Sequence, residues 1–328
     1  MTTPDPSAVP PSTPAAPPPG AAPRRGGVLD RVLLGPHGIR AGWRLLMYGL
    51  LWWVLVTALY PLAARLFGED GMMDDILVML LASLVAGWVM LLAVDRRPAG
   101  ALGFAADREI GRDSAVGFGV GGAMLGAAVV LLAMAGMARW VADTGSGWEY
   151  VAALAQSLAF FAVAAAAEEA AFRGYAFQAL VQGIGAWPAA LATSALFAWG
   201  HAGNPSVTPV ALANIFLAGV MLAVAYLRTR SLWFATAVHL GWNWTMQSLL
   251  GFPVSGLNEF DTPLYDVREL GPDAVTGGAF GPEAGIAATL AIVAGTLWMW
   301  RTGRLRESEG MIALRPLVDT RLGPGGGL

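Results

Sequence analysis

Residues Phe160 to Tyr175 read F-F-A-V-A-A-A-A-E-E-A-A-F-R-G-Y. An alanine-rich apolar run of this kind belongs in a membrane, yet it carries two adjacent carboxylates, Glu168 and Glu169, and then Arg173. An ionisable side chain within a spanning segment costs about 3 kcal/mol even on lenient insertion scales, and such positions usually have a function. The rest of the chain matters first for what it brings to these two carboxylates.

Outward from this stretch, composition sets the class. Of 328 residues 56% are apolar and only 13% charged, and the apolar residues gather in runs near twenty long, the pattern of an integral membrane protein. The formal net charge is −3, which offers no basic surface for nucleic acid. There is no cysteine, so disulfides and thiolate metal sites are excluded. Histidine occurs three times, at His37, His201 and His239, and every basic residue is an arginine.

Eight apolar segments are expected to span, near 43–66, 75–95, 114–137, 152–178, 186–202, 207–227, 232–250 and 284–301. The fold class is thus all-α, a polytopic bundle of about eight transmembrane helices. Placing the N-terminus inside puts 17 of the 20 arginines in inner segments and leaves Arg65, Arg139 and Arg268 outside. By the positive-inside rule this favours an even number of spans with both termini cytoplasmic, in what reads as a bacterial plasma-membrane protein. Trp187, Trp233, Trp298 and Trp300 fall near the expected interfaces. Residues 1–29 form a Pro/Ala tract with Arg24 and Arg25, expected to be disordered, with no removable signal peptide. Residues 29–43 alternate arginine with apolar residues, as a short interfacial helix would. The transmembrane domain then covers 30–302, its catalytic core about 150–250, and 303–328 is a cytoplasmic tail. Residues 251–283, rich in Pro, Gly and acids, are expected to be an irregular outer loop. Gly117, Gly119 and Gly122 match G-x-G-x-x-G, but no strand precedes them. Gly117–Gly121 and Gly122–Gly126 are better read as small-residue faces for helix packing.

Three polar intrusions could carry chemistry. Glu169 and Arg173 are spaced i,i+4 and can pair, which leaves Glu168, about 100° round the helix, without a local cation. The simpler reading of such a pair is that it only holds helices together. The second intrusion is Phe197-Ala-Trp-Gly-His201, and the third is His239-Leu-Gly-Trp-Asn243, whose ends share a helical face. Either alone could be a packing contact; three in three spans are hard to ascribe to accident. At about 1.5 Å rise per residue, Glu168, His201, His239 and Asn243 lie roughly 10–21 Å from the inner surface. They can therefore line one cavity, expected in the inner half of the bilayer and open to the cytoplasm.

A free carboxylate, two imidazoles and an amide suit the activation of water against a carbonyl. Glu168 and His201 could deprotonate the water, with His239 and Asn243 donating to the tetrahedral oxyanion. The alternative is a divalent metal, zinc, held by Glu168, His201 and His239 with one position open for water. The residue pattern leaves both routes open, although H-E-x-x-H is absent. No Gly-x-Ser-Gly lies in a span to suggest a serine protease.

Glu168-Glu169-x-x-x-Arg173, Phe197-x-x-x-His201 and His239-x-x-x-Asn243, in this order, resemble the CPBP family of intramembrane proteases, which includes CAAX prenyl endopeptidases related to Ras-converting enzyme and the bacteriocin-immunity and Abi proteins. The resemblance covers about residues 150–250. It implies a helical bundle with a cavity between helices. Glu168 is implied as the water-activating residue with His201, His239 and Asn243 as the oxyanion side, and Glu169, Arg173 and Phe197 as support. Members are described as metalloproteases, while the structural view of the family favours glutamate-activated water without metal, so the cofactor is either none or one zinc ion. The partners implied are membrane lipid and a protein or peptide substrate, with or without an attached lipid. The competing class is a non-catalytic membrane protein, an immunity, scaffold or transport protein that retains the polar cluster. A transporter would show an inverted repeat, and the cluster occupies only the second half of the chain.

Overall fold

Each of the eight apolar segments folds as a helix. In the computed structural model, which describes residues 27, 32–35, 38–67 and 71–318, these are α1 Ala41–Phe67, α2 Met72–Val89, α3 Ile110–Met134 and α4 Gly147–Arg173. After them come α5 Tyr175–Ile184, α6 Ala186–Gly200, α7 Pro209–Thr229, α8 Leu232–Trp244 and α9 Ile286–Arg301. The chain is an all-α membrane bundle. Five stretches are long and apolar enough to cross a membrane: Ala41–Leu66, Met72–Val94, Ile110–Met134, Gly147–Ile184 and Pro209–Thr229. By length and composition alone the expected count of eight is not reached, because α6, α8 and α9 have only 15, 13 and 16 residues. A π-helical turn, Thr245–Leu249, prolongs α8. The expected fourth span continues past Gly174 through α5, giving 38 residues in all.

Local sequence starts these helices where the site needs them. Ser146 and Glu149 form a capping box at the head of α4. Thr208 caps α7 by accepting from the Ala211 N–H, with Pro209 at the first helical position. Ser231 caps α8 by accepting from the Phe234 N–H. Gly174 interrupts α4–α5, and a Cβ there would lie 2.2 Å from the Ala170 carbonyl oxygen.

The glycines of α3 act as the small-residue face their spacing suggests. A Cβ on Gly117 would stand 2.6 Å from the Phe234 carbonyl oxygen, and one on Gly121 only 1.9 Å from that of Val238. From the other side, a Cβ on Gly241 would meet the Phe118 carbonyl oxygen at 2.2 Å. So α3 and α8 cross backbone to backbone at the level of His239. The second pair is used only in half: Gly122 faces Thr245, while nothing lies within 4 Å of Gly126.

The two ends of the bundle differ in charge. Arg40 and Arg44 open α1; Arg96, Arg97, Arg108 and Arg112 lie between α2 and the first turn of α3. Arg228 and Arg230 end α7, and Arg301, Arg304, Arg306 and Arg315 follow from the end of α9, all at one end. Arg65, Arg139 and Arg268 are at the other. The C-terminal segment docks on the arginine-rich end. Arg230 pairs with Glu307 at 3.2 Å, Arg108 with Glu309 at 3.0 Å, and the Leu317 N–H donates to Gln178 Oε1 at 3.1 Å. Met311, Leu317 and Val318 are buried beneath it.

Two expectations meet the structure differently, and a third falls outside the described residues. Within the stretch expected to be an interfacial helix, Val32 and Leu33 are helical, and a minimal antiparallel pair follows, β1 Leu34–Gly35 with β2 Gly38–Ile39. Pro36 within a Gly-x-x-Gly frame is incompatible with a helix interior. The 251–283 region contains β4, Tyr265–Glu269, in register with β3, Ala138–Ala142, Trp140 facing Val267. The alternation of Tyr265, Val267 and Glu269 inward with Asp266 and Arg268 outward supplies the strand period. The expected disordered tract lies, apart from Gly27, outside the described residues.

Candidate active site

The centre of the site is a fully buried ion pair. Glu169 and Arg173 are 0% exposed, and the Arg173 Nη1 donates to Glu169 Oε1 at 3.1 Å, the i,i+4 pairing read from the sequence. Arg173 Nη2 donates to the Gly219 carbonyl of α7 at 3.0 Å. Its guanidinium lies over the Phe197 ring at 4.7 Å, and Phe172 meets the same ring edge-on at 5.3 Å. Phe197 thus ties α6 to α4 through a desolvated cation–π contact. Its carbonyl also accepts a hydrogen bond from His201 Nδ1 at 2.8 Å, and the two rings are 4.7 Å apart.

His239 reaches this pair from α8. Its Nδ1 is 3.1 Å from the same Glu169 Oε1, and its Nε2 is 3.7 Å from Glu168 Oε2. One imidazole therefore lies between two carboxylates that neighbour each other in sequence. The carboxylates differ as a result. Glu169 is enclosed, its Oε1 engaged by Arg173 and His239, whereas Glu168 is 25% exposed on the cavity; the Oε2 of each has no hydrogen-bond partner.

Hydrogen-bonding chemistry assigns the ring protons. A carbonyl only accepts, so His201 Nδ1 carries the proton, and the neutral ring leaves Nε2 as an acceptor. A carboxylate likewise draws a proton to His239 Nδ1. His239 Nε2 then accepts in the neutral ring and donates only in the imidazolium.

Glu168, His201, His239 and Asn243 all line one cavity of about 380 Å³, together with Phe172, Phe197 and residues of α2, α4 and α7. His201 reaches it because α6 is short: 15 residues rise about 22 Å, so the helix ends inside the layer and His201 follows its last turn. The cavity extends from Glu168 to Asn204, Val254, Ser255, Leu257 and Glu283. These belong to the 201–208 and 251–285 loops, at the end remote from the arginines. The cavity thus leads away from the arginine-rich end, whereas the sequence set it in the half of the bundle that carries those arginines. Counting depth from one helix end put the four residues within reach of one cavity but could not show which way the space between them ran.

The loop residues at the mouth carry no signal in the linear sequence. Glu283 Oε1 accepts from Trp242 Nε1 at 3.1 Å, and its Oε2 accepts from the Ser255 N–H at 2.9 Å and Oγ at 2.7 Å. Asn204 Nδ2 donates to the Ser255 carbonyl at 2.9 Å. Glu283 thus fastens the loop to α8 beside Asn243. Only Trp242, within the His239–Asn243 stretch, belonged to a motif.

The residues do not fit a metal site as placed. Among the described residues no group of three or more His, Cys, Asp or Glu side chains converges to hold an ion. Glu168, His201 and His239 share a cavity without forming such a group, and His239 Nδ1 is occupied by Glu169.

A helical membrane bundle with an enclosed carboxylate–imidazole cluster is the class that fold and site define. Residues 150–245 match the family model described as type II CAAX prenyl endopeptidase Rce1-like, in agreement with the CPBP resemblance of the three motifs. Neither the comparison with curated proteins nor that with solved structures gave a match.

Proposed function

We propose that the chain is an intramembrane endopeptidase of the CAAX-protease type, in which Glu168 activates water against a peptide carbonyl within the cavity. The observation that carries this reading is the asymmetry of the two carboxylates: Glu169 is 0% exposed with its Oε1 committed to Arg173 and His239, while Glu168 is 25% exposed and lines the cavity. Glu168 takes a proton from water as the water oxygen attacks the carbonyl carbon. The C=O bond becomes an oxyanion, which Asn243 and the imidazolium Nε2–H of His239 stabilise. When the C–N bond breaks, Glu168 returns the proton to the leaving amine. His201, with its Nε2 free to accept, orients the water from the α6 side. Glu169 and Arg173 hold His239 and α4 in place. The Rce1-like match over residues 150–245 supports the reaction class.

The test uses purified protein in liposomes with internally quenched peptides, one farnesylated at a C-a-a-X terminus and one apolar and unprenylated. Glu168→Gln should lower cleavage by about 10²–10⁴-fold, the usual worth of a positioned general base, with a melting midpoint within about 2 °C of the parent. Cleavage by Glu168→Gln within tenfold of the parent would reject Glu168 as the base.

A further inference from the structure

The charge asymmetry and the course of the cavity, taken together, say where the substrate comes from. We infer that the cavity admits its substrate from the non-cytoplasmic side of the membrane, and that this substrate is a cationic or neutral extended peptide segment. The substrate clause rests on the protease reading above; the direction of entry does not.

Twelve arginines sit at one end of the bundle among the described residues and three at the other. Cationic flanks are retained on the cytoplasmic side during insertion, so the arginine-rich end is cytoplasmic. The cavity runs from Glu168 to Asn204, Ser255 and Glu283 at the opposite end. That end is fixed by contacts independent of the cavity: β3 pairs with β4, Trp140 Nε1 donates to the Leu250 carbonyl, and the Tyr150 hydroxyl donates to the Ser248 carbonyl. The heads of α2 and α4 and the tail of α8 are therefore at the mouth. At the cytoplasmic end, the docked C-terminal segment and the buried Arg44–Asp95 pair, with Tyr175 donating to Asp95 at 2.8 Å, close the bundle beneath the site.

The mouth end is also acidic. Ten Asp and Glu side chains, from the head of α2, the β3–α4 turn and the 251–285 loop, stand there among the described residues against three arginines. Such a field concentrates cations and repels anions. The cavity wall itself is largely apolar, with Met72, Ile76, Phe160 and Phe161 on its α2–α4 side. An apolar segment carrying arginine or lysine outside the membrane meets both conditions.

The chain lacks cysteine, so single cysteines report cleanly. Gly203→Cys marks the mouth, Ala164→Cys the cavity wall and Gly303→Cys the arginine-rich end; Gly203 and Gly303 have nothing within 4 Å of an added Cβ. Intact cells expressing the full chain are treated with a membrane-impermeant maleimide, before and after permeabilisation. Gly203→Cys and Ala164→Cys should label in intact cells, and Gly303→Cys only after permeabilisation. The reverse pattern would overturn the orientation. Labelling of Gly203→Cys but not Ala164→Cys from outside would overturn the route into the cavity. An arginine-bearing apolar peptide should slow Ala164→Cys labelling several-fold and its glutamate counterpart should not; equal slowing by both would refute the charge preference. Because labelling needs no turnover, a failed direction of entry is distinguishable from a failed protease assignment.

Discussion

Glu168 and Glu169 are neighbours in the chain, yet the structure predicts opposite consequences for the same substitution. Glu169→Gln removes the charge of a carboxylate that is 0% exposed and engaged by both Arg173 and His239. Arg173, also 0% exposed, is then left with the Gly219 carbonyl and the faces of Phe172 and Phe197. Breaking a buried pair from one side costs about 3–5 kcal/mol, because the remaining charge stays desolvated. Glu168 is 25% exposed and its contact to His239 is 3.7 Å long, so Glu168→Gln should cost no more than about 1 kcal/mol, the range of solvent-screened pairs. At about 2 °C per kcal/mol for a large domain, the melting midpoint of Glu169→Gln falls by about 6–10 °C and that of Glu168→Gln by no more than about 2 °C. Tryptophan fluorescence in detergent follows the transition. Replacing both charges, as in Glu169→Gln with Arg173→Met, should recover part of the loss, since no buried charge is then unpaired. Equal midpoints for the two single variants would refute the division into a supporting and a reacting carboxylate.

Three other outcomes are expected. Gly121→Ala should impair folding severely, since its Cβ would lie 1.9 Å from the Val238 carbonyl oxygen, whereas Gly119→Ala, with nothing within 4 Å, should melt like the parent; detergent-extracted yield and melting curves decide. Chelation by EDTA should leave peptide cleavage intact, and restoration of lost activity by stoichiometric zinc would establish a metal route instead. Deleting residues 1–29 should change neither membrane insertion nor thermal stability, because a Pro/Ala tract buries too little apolar surface to offset its ordering entropy; a large loss in either measurement would count against this.

Much of the architecture was legible because hydrocarbon imposes a length and a polarity on every helix that crosses it. The eight apolar segments became helices on those grounds, and Glu169 met Arg173 because i,i+4 spacing is a local rule. The shared cavity of Glu168, His201, His239 and Asn243 was reachable from helical rise alone. What lay beyond reading is tertiary. Glu283 faces Trp242 only because the 251–285 loop folds back over α8, and no periodicity encodes that return. The pairing of β3 with β4 joins segments more than a hundred residues apart. The direction of the cavity depends on which loops wall it, and no linear pattern shows which those are.

The backbone-to-backbone crossing of α3 on α8 has a mechanical consequence. Gly117, Gly121 and Gly241 leave no layer of flexible side chains between the two helices, so any tilt of α3 passes directly to the helix that carries His239 and Asn243. A spanning helix of 25 residues adjusts to a thinner or thicker bilayer by tilting. On the proposed protease reading, the placing of His239 and Asn243 is then coupled to membrane thickness, and cleavage rates measured across a series of lipid acyl lengths should pass through a maximum.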